Sequence, residues 1–211
     1  MAKGSSANGS AGSLELSDKN LFFCAAEVKD DKKQTPQEEL LTKNGYKAFL
    51  EKDYKGAEKQ YKELLDLEKK LHGADSKEVA RTLDALGSAC EKDERYADAK
   101  GYYKQGAEVC AKAYGKDKSE TGTQIGNVAQ MDHKLKNWKE AAAGYKDAIQ
   151  IYEKNDPSSD NYKINEATKA LKDYAEVLGQ LGDKKGAEAQ QKRAKEIYDA
   201  YLHGPSKIEF Y

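Results

Sequence analysis

The sequence contains no run of about 18 apolar residues, so it offers no candidate for a membrane-spanning helix. It also has almost no net charge, 36 Lys and Arg standing against 37 Asp and Glu. Attraction of the whole chain to nucleic acid or anionic lipid is therefore not expected. Arginine is scarce: Arg81, Arg95 and Arg193 are the only ones, and every other basic residue is lysine. Lysine is a solvated point charge, whereas phosphate recognition favours the planar fork of arginine. Neither nucleic acid nor membrane is expected as a partner. There are 3 cysteines and no C-x-x-C, which rules out a disulfide scaffold and fits a reducing, cytoplasmic compartment. Cys90 and Cys110 read as small buried apolar residues, with a redox pair as the alternative. The prolines are Pro36, Pro157 and Pro205, and none interrupts a helical pattern.

What is present is charge, 35% of residues, with 38% hydrophobic residues and a mean hydropathy of −0.96. That balance suits either partial disorder or long helices with wet faces. Residues 1–35 read as a flexible leader, rich in Gly and Ser at its start and carrying one short apolar segment, Leu21–Ala26, suited to packing or docking. From Pro36, a first helical position with Thr35 as N-cap, the texture changes to Ala, Leu, Lys, Glu and Tyr. Tyr54, Ala57, Tyr61, Leu64, Leu65, Leu67 and Leu71 recur at helical steps, with Glu58, Lys59, Lys62, Glu63 and Lys69 on the opposite, wet face. Glu58 and Lys62 are placed to pair one turn apart. No stretch alternates with period two, and the spacing predicts an all-α chain. Residues 36–203 form its helical domain. Gly204-Pro205 ends the last helix, and the tail 204–211 carries Ile208, Phe210 and Tyr211 as a cap or a docking element for another copy.

The helical region repeats. Ala57, Ala99 and Ala141 are 42 residues apart, and Ala187 follows 46 residues later, the excess fitting an enlarged loop around 155–160. In register with them stand Leu41, Leu83, Ile125 and Leu171; Gly45, Gly87, Ala129 and Ala175; and Tyr61, Tyr103, Tyr145 and Gln191. Small residues in two columns let antiparallel helices approach closely, and large ones in the neighbouring columns fill the space beside the contact. One hairpin cannot bury its own face, so copies must stack.

Two linkers complete the pattern. Leu71-His-Gly-Ala-Asp75 precedes Val79-Ala80-Arg81-Thr82-Leu83, and Ala113-Tyr-Gly-Lys-Asp117 precedes Thr121-Gly-Thr-Gln-Ile125. The region resembles the tetratricopeptide repeat, in the 42-residue variety of kinesin light chains. The resemblance implies a right-handed solenoid of about four stacked helix hairpins whose first helices line a concave groove. Carried across column by column, the groove positions are Thr42, Tyr46 and Phe49; Asp84, Ser88 and Glu91; Gly126, Gln130 and His133; and Lys172, Glu176 and Gly179. Lys134 and Lys172 are candidate contacts for an acidic peptide. Some family members clamp a partner's terminal carboxylate with asparagine; Tyr46 and Ser88 stand at those positions here, which argues against that mode.

No chemistry is legible. His72, His133 and His203 have no second ligand at helical spacing, and no phosphate loop, G-x-S-x-G or H-E-x-x-H is present. No catalytic residue, metal or cofactor is expected. The expected function is a non-enzymatic scaffold binding a protein or peptide. The alternative is a structural repeat protein that self-associates through its terminal segments.

Overall fold

The computed structural model describes residues 34–155 and 161–203, and the expectations for the leader, Leu21–Ala26 and the tail lie outside them. Eight helices form four antiparallel hairpins: α1 (Pro36–Leu50) with α2 (Tyr54–His72), α3 (Lys77–Lys92) with α4 (Tyr96–Ala113), α5 (Ser119–Lys134) with α6 (Trp138–Lys154), and α7 (Asn161–Gln180) with α8 (Lys184–His203). No strand occurs among the described residues. Each helix packs mainly on the next along the chain, and the first helices α5 and α7 also touch. The fold is an all-α helical repeat solenoid.

Local chemistry sets the helix ends. Thr35 and Glu38 make a reciprocal capping box on α1: the Glu38 amide donates to Thr35 Oγ1 at 3.3 Å and the Thr35 amide to Glu38 Oε2 at 2.7 Å. Asp53 and Asp183 cap α2 and α8 by accepting the Gly56 and Gly186 amides, both at 2.9 Å. Every hairpin turn then uses one left-handed residue in the same column: Lys52 at φ 62, Glu94 at 57, Lys136 at 62 and Gly182 at 84. Only the fourth turn fills that position with the residue it suits best.

The repeat columns are the packing surfaces. Ala57, Ala99 and Ala141 are fully buried, as are Tyr61, Tyr103 and Tyr145. Gly45 and Gly87 let these rings in: a Cβ on either would stand 2.5 Å from Cε1 of Tyr61 or Tyr103. Ala129, Ala141, Tyr145, Ala148, Ile149, Tyr152, Ala167, Ala170 and Leu171 make one continuous cluster across the third and fourth hairpins.

Charged contacts repeat too. Lys112 Nζ reaches Asp75 at 2.9 Å, and Lys154 Nζ reaches Asp117 at 2.8 Å, each pair 37 residues apart in sequence. The aspartate of each linker is thus held by the second helix of the following hairpin.

Two details of the α2 stripe differ from the sequence pattern. Leu71 is exposed, although the next residue, His72, is held on α1 by Glu38. Glu58 is buried rather than wet: it pairs with Lys62 at 2.8 Å and with Arg95, whose other nitrogens bond Asp93 at 2.8 Å and Asp98 at 2.9 Å. Burial works to raise the Glu58 carboxyl, but Lys62 and Arg95 together hold it below its ordinary value. Cys90 and Cys110 are buried and form no disulfide with each other, and burial pushes Cys90 up to about 11.

Candidate functional site: the shared face of α3, α5 and α7

The first helices of the second, third and fourth hairpins share a polar face knitted from side chains. Asp84 on α3 accepts from Gln124 Nε2 at 2.7 Å and Asn127 Nδ2 at 3.3 Å on α5. Gln130 on α5 accepts from Lys169 on α7 at 3.2 Å, and His133 Nε2 lies 3.5 Å from Glu176. The column tyrosines reach the same face from behind. Tyr103 donates to Glu91 at 2.9 Å with Ser88 Oγ at 3.3 Å, and Tyr145 donates to Asp173 at 3.4 Å. A small cleft is lined by Asn127, Gln130, Tyr145, Glu166, Lys169 and Asp173.

Carboxylates dominate this face. Asp84, Glu91, Glu166, Asp173 and Glu176 stand on it, with Lys169 and the His133 ring among them. Burial raises the Asp84 carboxyl, Glu91 adds to the rise, and the Gln124 amide opposes it. Burial likewise raises Glu166, where Lys169 opposes and Asp84 and Asp173 add. Asp173 is raised by burial against the pull of Lys169 and His133. Anions crowded into partly dry positions raise one another's proton affinity, and an incoming cation relieves them.

Of the expected groove residues, Asp84, Ser88, Glu91, Gln130, His133 and Glu176 meet on this face. Tyr46 is half-buried in the first hairpin, in the same column as Ser88 and Gln130. Lys134 is exposed at the end of α5. Two positions are corrected. Phe49 is only 5% exposed, its ring packed edge-on against Tyr54 at 5.5 Å. Its ring turns to the second helix, as the His133 ring of the same column does on Trp138 at the same 5.5 Å, while the polar ends of His133 and Glu91 still reach the shared face. Lys172 lies in a different hollow of about 360 Å³, with Gln191, Ala194, Lys195 and Tyr198. On α7 the residues facing α5 are Glu166, Lys169, Asp173 and Glu176, a three-, four-, three-residue step that the sequence displays but the column offset passed over. Among the described residues no group of three or more His, Cys, Asp and Glu is placed to hold a metal, and no helix is long and apolar enough to cross a membrane.

Comparison with known proteins agrees with this geometry. Residues 39–112 match the tetratricopeptide repeat family. BtubC (BKLC) from P. vanneervenii superposes with a TM-score of 0.70 at 18% identity, over 92% of this chain and 74% of that one. The apo form of RapI gives 0.67 at 15% identity over 86% of this chain, which spans only 62% of RapI. The repeats of a putative kinesin light chain from Podosopora anserina give 0.51 at 10% identity, over 80% and 95%. No curated protein matches the sequence. At these identities the structural likenesses show the fold. With the sequence match over residues 39–112, they define a helical-repeat protein of the solenoid class. Residues 39–112 carry the tetratricopeptide repeat, and over the rest of the chain the likeness is one of fold.

Proposed function

We propose that the chain is a non-enzymatic interaction module whose shared first-helix face is a groove for an extended segment of a protein partner, and that this segment is cationic. Tetratricopeptide arrays are in general protein-interaction scaffolds. One observation carries the charge preference: Asp84, Glu91, Glu166, Asp173 and Glu176 share a face on which Lys169 is bonded to Gln130 and His133 lies beside Glu176. The acidic peptide suggested by Lys134 and Lys172 is disfavoured, because Lys172 stands in another hollow. Steering by such a face raises on-rate and is screened by salt.

The test uses fluorescence anisotropy with labelled extended peptides, one Lys/Arg-rich and one Asp/Glu-rich. The basic peptide binds better by about tenfold or more at low salt, and Asp173→Asn with Glu176→Gln reduces that preference several-fold. Tyr46→Ala weakens binding, and Gln191→Ala leaves it alone. Equal binding of both peptides sinks the charge assignment, and indifference to all three groove changes sinks the groove.

One observation favours the self-association reading as a second role. Leu181, Tyr198, Tyr201 and Leu202 are exposed on the last hairpin beside the 360 Å³ hollow. Sedimentation of the full chain against a Tyr198→Ser, Leu202→Ser variant tests it, a strictly monomeric parent at high concentration being the rejecting result.

A further inference from the structure

The first two hairpins meet at a buried acidic junction that the groove does not use. Glu38 of α1 is 0% exposed, and besides capping α1 it holds His72, the last residue of α2, with Nε2 at 2.6 Å from Oε1. One turn back on α2 is Glu68, 3% exposed, whose Oε2 has no hydrogen-bond partner among the described residues. Across the junction, α3 presents the Thr82 hydroxyl to the Glu68 carboxyl, together with Arg81 and Glu78, which pair with each other at 3.6 Å. The charged and titratable groups around Glu68 are therefore Glu38 from α1, His72 from α2, and Glu78 and Arg81 from α3. This is one carboxyl too many for a dry interface in which Glu38 already takes the histidine. A buried carboxyl oxygen without a donor is much more costly as an anion than as a protonated acid.

We propose that this junction is a proton-operated latch: with Glu68 protonated the first hairpin is clamped to the second, and ionisation of Glu68 beside Glu38 loosens it. The two carboxyls are driven apart by their surroundings. Burial works to raise Glu38, but the Thr35 amide, His72 and the Thr35 hydroxyl hold it below its ordinary value, so it stays ionised. Burial raises Glu68 to about 7, Thr82 opposing and the Glu38 charge adding to the rise. The direction of the pH effect follows. The closed junction binds more protons at Glu68 than the opened one does, so its stability is full below the ordinary carboxyl range and is lost as pH rises through about 7. The latch works near neutral pH, and the hairpin it releases carries Tyr46, at the end of the proposed groove. The inference does not depend on what the groove binds.

Amide hydrogen-exchange protection factors on the full chain test it. For slow amides of α1 and the first turns of α3, protection falls about tenfold between pH 6 and pH 8. In Glu68→Gln that fall is absent. In His72→Gln it persists, and in Glu38→Gln it moves to lower pH, because loss of the facing anion lowers the proton affinity of Glu68. A flat parent profile, a fall that survives Glu68→Gln, or one that vanishes with His72→Gln overturns the latch. If Glu68→Gln does not fold, carbon-13 titration of the Glu68 carboxyl in the parent decides: a midpoint near 7 supports the latch, and an ordinary carboxylate midpoint overturns it.

Discussion

The middle hairpins and the last one are built from the same columns, yet they use them differently. In the second and third hairpins the column alanines and tyrosines, Ala99, Tyr103, Ala141 and Tyr145, are buried by a neighbour on each side. In the fourth, Ala187 is half-buried and the tyrosine column holds Gln191, which is exposed. The last hairpin has nothing beyond it among the described residues, so a large ring in that column would lie in solvent. A column is therefore begun within one hairpin, on glycines such as Gly45 and Gly87, and completed by the next copy. The turn column runs the other way, since only the fourth hairpin has glycine at the left-handed position.

Substitutions sharpen this contrast. The largest expected effect is Tyr103→Ala, which empties a buried ring site and costs about 3–5 kcal/mol, whereas Gln191→Ala stays within about 0.5 kcal/mol; urea unfolding compares them. Next is Gly87→Ala, whose methyl meets the buried Tyr103 ring and costs about 1–3 kcal/mol. Gly179→Ala, where a Cβ meets nothing within 4 Å, gains up to about 1 kcal/mol, and equal effects at the two glycines would dissolve the distinction. Lys136→Gly relieves a left-handed lysine and raises stability by up to about 1 kcal/mol, while Gly182→Lys lowers it by a similar amount; thermal unfolding reads both. The smallest effect is Asp117→Asn, which removes an exposed pair with Lys154 and leaves the thermal unfolding midpoint essentially where it is, at high salt most of all.

The fold was legible because burial between copies imposes a period. Ala57, Ala99 and Ala141 announce a helix contact by recurring at a fixed spacing, and Tyr61, Tyr103 and Tyr145 confirm its other side. The face of α7 was less legible. The count back from Ala187 places Leu171 and Ala175 correctly in the core, but among the outward positions it picks Lys172 where Lys169 and Asp173 face the neighbour. Phe49 illustrates a second limit, since a large ring near a helix end packs on whatever follows the turn, here Tyr54. The buried carboxyls were not legible. Glu58 reads as a wet residue because a glutamate does not reveal whether it will meet a partner such as Arg95, 37 positions away, and no spacing marks Glu38 or Glu68.

The paired linkers hold a mechanical consequence. Lys112 with Asp75 and Lys154 with Asp117 tie each hairpin only to the one before it. A force applied to the two ends of the array meets a series of nearly equal, independent seams. Under tension the array yields one hairpin at a time, each event paying out 42 residues, or about 140–150 Å of extended chain.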